Sequence, residues 1–178
     1  MREAGALAVA AGLALGCVIG IGLADAQTAC IGVTGAEVTD PGATNKVRTE
    51  RIAGTNFAAA REALQDAMLG QGLNAPTVSH FGRMLTRTAG DLGHPQDLYD
   101  EAEIFTFCSA AVAARVVASA REHIAWCPLS IALYSLPDRP GEVVIAYRPP
   151  PTSTPGGRLA AEFMDRITKD TRNALGGR

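Results

Sequence analysis

The chain predicts an α+β domain, with elements in the order β-α-β-β-α-β-β-α building one mixed sheet that carries its helices mainly on one face. Three observations predict it. Glu103 to Arg148 passes through strand, helix, strand, turn and strand signals without a break. Phe57, Ala60, Leu64, Ala67 and Met68 share one face of a helical repeat, opposite Arg61, Glu62, Gln65 and Asp66. Leu159, Phe163 and Ile167 give a closing helix the same apolar spacing. A chain of 178 residues holds one such core with an appendage and is short for two domains.

Met1 to Ala26 reads as a targeting segment: Arg2 leads into the apolar stretch Ala4 to Leu23, which ends in the cleavage pattern Ala24-Asp25-Ala26. Two other readings stand beside cleavage. Left in place, the stretch is long enough for a signal anchor, and Leu15-Gly16-Cys17 has the outline of a lipoprotein box. Residues 27–45 are small and polar, with Asp40-Pro41-Gly42 as a turn signal, and read as a disordered lead-in. The domain proper is then 46–175.

Within it, Lys46 to Ile52 is a short strand, and Gly54-Thr55-Asn56 offers a helix start by capping. Gly70 and Gly72 stop that helix. Thr77 to Thr88 is a strand candidate, weakened at Gly82, and Ala89 to Asp100 reads as an irregular connection. Glu103 to Cys108 is a strand; Ser109 is the candidate N-cap of an alanine-rich helix from Ala110 to Glu122 that buries Val112 and Val116, with Ala120 on the same face. Ser130 to Leu136 and Glu142 to Arg148 form a hairpin around Pro137-Asp138-Arg139-Pro140-Gly141. Pro149-Pro150-Pro151 cannot donate to a ladder, so it leaves the sheet as a spacer. Thr154-Pro155 then pairs an N-cap with proline at the first helical position.

From Glu103 to Arg148 the pattern resembles the bacterial domain-of-unknown-function 302 family. IFTFCSA, a short helix and IAWCPLSIALYSLPDRPGEVVIAYR carry the likeness, which is specific at Cys108 and at Cys127-Pro128 and extends over roughly Lys46 to Leu175 by element order. Ser109-Ala110 stands where many members have asparagine-proline, and Cys127 precedes its proline instead of following it. The resemblance implies a compact α+β fold and a bacterial origin, and carries no activity with it.

Cys108, Ser109 and Cys127 are the candidate site. Cys108 falls where a strand meets a helix start, whose unpaired N–H groups favour a thiolate. It also reads as half of a disulfide with Cys127, in an exported protein, or as a buried small residue. A parallel crossover would put the two cysteines about 15 to 20 Å apart at opposite strand ends, beyond the roughly 4.4 to 6.8 Å between Cα atoms that a bridge allows, unless the approach through Ile124 to Pro128 is bent.

No catalytic set is complete: no nucleophile elbow and no phosphate-cradling loop occurs. His80, His94, Cys108 and Cys127 lack metal-ligand spacing, so no metal and no cofactor is expected. His123 belongs at a helix C-terminus, and Trp126 is a hydrophobic plug beside Cys127. The formal charge of −2, without like-charge runs, argues against nucleic acid.

The sequence thus points to an exported, periplasmic or secreted, non-enzymatic domain that binds a small ligand or an envelope protein. It would touch the membrane only through an uncleaved leader or a lipidated Cys17. The alternative is a thiol-dependent redox or sulfur-handling protein using Cys108.

Overall fold

Alternation in the Ser130 to Arg148 hairpin sets the architecture. Ile131, Leu133, Val143 and Ile145 all point to one side and are at most 1% exposed, as the period-2 pattern requires. The computed structural model describes residues 46–176. The leader with its cleavage signature, Cys17, Cys30 and the lead-in lie outside the described residues. In order come β1 (Arg48–Ala53), α1 (Phe57–Gly70), β2 (Thr77–Ser79), α2 (Phe81–Ala89), β3 (Glu101–Phe107), α3 (Ala110–Ser119), a 3-10 helix (Arg121–Trp126), β4 (Leu129–Ser135), β5 (Glu142–Tyr147) and α4 (Pro155–Ala174).

The strands form one five-stranded sheet in the order β1-β5-β4-β3-β2. α1, α3 and α4 cover its Ile131 face. Phe57, Ala60, Leu64 and Met68 of α1, Val116 of α3, and Ala160, Phe163, Met164 and Ile167 of α4 close over Phe105, Phe107, Ile131, Leu133 and Ile145. Each large side chain withdrawn there is worth about 1.5 to 3 kcal/mol of transfer free energy. All three anticipated caps are present. Asn56 Oδ1 accepts from Ala59 N–H at 2.9 Å, Ser109 Oγ from Val112 N–H at 3.4 Å, and Thr154 Oγ1 from Gly157 N–H at 3.1 Å.

The α+β class holds, and four details differ from the sequence reading. First, every pairing among the described strands is antiparallel, so the sheet is not mixed. α3 does not cross over to a parallel strand. It ends at Ser119, short of Glu122, and the 3-10 helix brings the chain back to the end of the sheet it had left.

Second, the strand expected over Thr77 to Thr88 stops at Ser79, and the rest is α2. Phe81, Gly82, Leu85 and Ala89 face inward at helical spacing, a signal masked by Gly82, which reads locally as a breaker. A Cβ on Gly82 would lie 2.9 Å from Ala102 N, so glycine lets α2 settle on the edge of β3. The Phe81 ring meets Tyr99 edge-on at 6.2 Å, and Tyr99 meets Tyr134 at 5.3 Å.

Third, Pro149 and Pro150 are buried. The proline run is a packed corner under the start of α4, not a spacer. Fourth, Leu159 is only half-buried, because the inward stripe of α4 runs through Ala160, Phe163, Met164, Ile167 and Thr171. Among the described residues no helix is long and apolar enough to cross a membrane.

Candidate functional site

The antiparallel return from β3 to β4 decides where the candidate thiols go. Phe107 and Leu129 are the last paired residues of those strands. Cys108 follows the one directly, and Cys127, with Pro128, precedes the other. The two cysteines therefore stand at the same end of neighbouring strands, and the separation implied by a parallel crossover does not arise. Both are free thiols, Cys108 exposed and Cys127 half-buried. Burial, and then the adjacent Cys108 sulfur, which acts through its charge and a hydrogen bond, push the Cys127 thiol above its ordinary range. The peptide bond between Cys127 and Pro128 is cis.

Ser109 belongs to the same cluster by position, though its hydroxyl is engaged in capping α3. Beyond the thiols, His123 stacks on Trp126 with ring centroids 3.8 Å apart. The His123 Nδ1 atom lies 3.0 Å from Ser119 Oγ and 3.3 Å from Val116 O, at the end of α3 as expected. Trp126 packs against the core. A small cavity of about 290 Å³ opens between Trp126, Pro128 and Arg148.

At the opposite end of β3 lies a site that reading the sequence missed. A cavity of about 690 Å³ separates the start of α1 from α2, floored by Asp100 to Glu103. Its back wall is an organised ion cluster. Arg61 Nε donates to Glu103 Oε2 at 2.7 Å, His80 Nδ1 lies 2.7 Å from Glu103 Oε1, and the Glu103 side chain is only 12% exposed. Asp100 accepts from Ser135 Oγ at 3.3 Å. Arg83 and Arg87, one turn apart on α2, also line the cavity. Neither has a side-chain hydrogen bond or ion pair among the described residues. Their i, i+4 spacing becomes informative only once residues 81–89 are taken as helix. On the other sheet face, a smaller hollow of about 340 Å³ lies over Ala132 and Ala146, beside Tyr99 and Tyr134.

The residues once weighed as metal ligands do not converge: His80 serves Glu103, while the cysteines are at the far end of β3. Among the described residues no group of three or more His, Cys, Asp or Glu side chains is placed to hold a metal.

No family model matches the chain, and no curated protein matches it. A similar solved structure is that of an uncharacterized conserved protein, DUF302, from Bacillus stearothermophilus, at 16% sequence identity and a TM-score of 0.54, covering 72% of this chain and 97% of that one. At that identity the match speaks for fold alone, and the fold of this chain is that of the domain-of-unknown-function 302 protein, as the residues around Cys108 and Cys127-Pro128 led us to expect.

Proposed function

We propose that the chain is an exported, non-enzymatic domain of the bacterial cell envelope that binds a small polar ligand bearing an acid group. The observation that carries this reading is the cavity of about 690 Å³ lined by Arg83 and Arg87, neither of which has a side-chain partner among the described residues. Its volume lies within the range of about 300 to 1,000 Å³ of small-molecule sites, and two guanidinium groups one turn apart suit a carboxylate or phosphate oxygen pair. Asp100 and Glu101 in the floor favour a ligand that also carries a positive group. The non-enzymatic reading is supported by Glu103, the least exposed acid of the site, whose two oxygens are committed to Arg61 and His80. Export rests on Ala4 to Leu23 and Ala24-Asp25-Ala26.

The test is a titration of the isotope-labelled protein with free amino acids, dicarboxylates and inorganic phosphate, followed by amide chemical shifts. Saturable shifts at Gly82, Arg83 and Ala102 that disappear in an Arg83→Gln, Arg87→Gln variant are the expected result. Shifts that survive that double substitution would place binding elsewhere.

A further inference from the structure

From the juxtaposition of Cys108 and Cys127 at the shared end of β3 and β4, we propose that they form a dithiol–disulfide couple that exchanges with an external disulfide, Cys108 attacking and Cys127 resolving. This exchange is separate from ligand binding at the arginine cavity, and the non-enzymatic reading above is confined to that cavity. The seven residues of β3 set the two sites roughly 20 Å apart at about 3.4 Å per residue.

Three features support the assignment. Both cysteines lie just outside the β3–β4 ladder, which ends at Phe107 and Leu129, so joining their sulfurs breaks no sheet hydrogen bond. Their environments differ in the sense that exchange requires: the attacking sulfur must be reachable, and Cys108 is exposed, whereas the resolving sulfur must be near but shielded, and Cys127 is half-buried. Burial and the Cys108 sulfur also favour the protonated form of Cys127, as suits a resolving thiol that acts second.

The chemistry balances without a further reagent. The Cys108 thiolate attacks one sulfur of a disulfide R–S–S–R′, giving a Cys108–S–S–R mixed disulfide and releasing R′–S⁻, which takes a proton from solvent. Cys127 yields its proton to solvent and attacks Cys108 Sγ. The Cys108–Cys127 bond forms and R–S⁻ leaves. The external disulfide is reduced to two thiols while the protein dithiol is oxidised, and the reverse sequence oxidises an external dithiol.

The experiment uses the full chain with Cys17→Ser and Cys30→Ser, so that only the two thiols report, and oxidised glutathione as the probe. The reduced protein is mixed with probe and quenched at intervals, and free thiols and bound glutathione are counted by intact mass. With both cysteines present, the two thiols should vanish together and no glutathione should remain bound. Cys127→Ser should stop at a mixed disulfide on Cys108, and Cys108→Ser should react more slowly by about tenfold or more. Reduced glutathione in excess should then reopen the internal bond in the folded chain. The proposal is overturned if glutathione stays on the protein that has both cysteines, or if either thiol reacts only on unfolding. A bridge that forms but resists reduction while the chain is folded would make the pair a structural disulfide and overturn it too. Should Cys127→Ser not fold, judged by circular dichroism, the thiol count and reopening of the two-cysteine protein decide the matter.

Discussion

Gly157 is the third residue of α4, and replacing it with alanine tests how closely that helix start is pressed onto the proline corner. A Cβ built there would overlap the backbone carbonyl of Pro151 and come within 3.1 Å of the Thr154 hydroxyl that caps the helix. The obstacle is backbone, so it cannot swing aside. Alanine gains about 1 kcal/mol of helix propensity over glycine. Against this, overpacking costs about 1 to 3 kcal/mol, and disturbing the Thr154 cap costs about 1 kcal/mol more. The net expectation is a loss of about 1 to 3 kcal/mol, a fall of several degrees in Tm for a domain of this size. Gly70, the last residue of α1, has no atom within 4 Å of a built Cβ, so Gly70→Ala keeps only the propensity term, reduced at a helix end to about 0.5 kcal/mol of gain. Urea unfolding followed by far-ultraviolet circular dichroism reads both as midpoint shifts at constant m. If Gly157→Ala stabilised the protein as Gly70→Ala does, the close packing of α4 on Pro151 would be refuted.

Other substitutions probe the rest of the frame. Tyr147→Phe removes the hydroxyl that donates to Asp165 at 2.7 Å and should cost about 1 to 2 kcal/mol at neutral pH; Arg48 still holds that carboxylate through contacts at 2.7 and 2.8 Å. Burial, and then the Asp165 hydrogen bond, raise Tyr147 above its ordinary 10.0. The folded state thus keeps a proton that the unfolded chain gives up, and this contribution is full below pH 10 and fades as pH climbs through the raised value. The phenylalanine variant should accordingly lose stability less steeply in alkali, and an unchanged alkaline slope would exclude Tyr147 as its source. Ser109→Ala, which removes a long cap at 3.4 Å, should cost about 0.5 to 1 kcal/mol by urea unfolding. Ile145→Ala, at a fully buried site, should cost about 2 to 5 kcal/mol, and a loss under 1 kcal/mol would contradict its central place. Intact mass of the envelope fraction should show a chain starting at Gln27; an intact Met1 would mean a retained anchor.

What could be read from the sequence was what neighbours within a few positions decide. Asn56, Ser109 and Thr154 cap because hydroxyl or amide oxygens reach N–H groups two or three residues on. The β4–β5 hairpin follows from its turn residues and alternation. Distant contacts decided the rest. Gly82 looks like a flaw in a strand until Ala102 is beside it, where the missing Cβ lets α2 lie against β3. Cys108 and Cys127 seemed far apart because a parallel crossover was assumed; the pairing of Phe107 with Leu129, set by the whole sheet, brings them together. Arg83 and Arg87 point to a common site only at helical spacing; on a strand their separation carries no such signal.

The way α2 ends the sheet bears on how the protein behaves among its own copies. A free strand edge is a template on which another chain can polymerise. Here β2 is three residues long, and the exposed flank of β3 beyond it is occupied by α2, with Gly82 against the Ala102 backbone. At the other edge β1 carries Arg48, Glu50 and Arg51, and Arg51 is paired with Glu142 at 2.9 Å. One border is physically shut and the other is charged. The sheet should therefore stay soluble at high concentration, and a variant that unseats α2, such as one with a bulky residue at Gly82, should aggregate through β3 before its core unfolds.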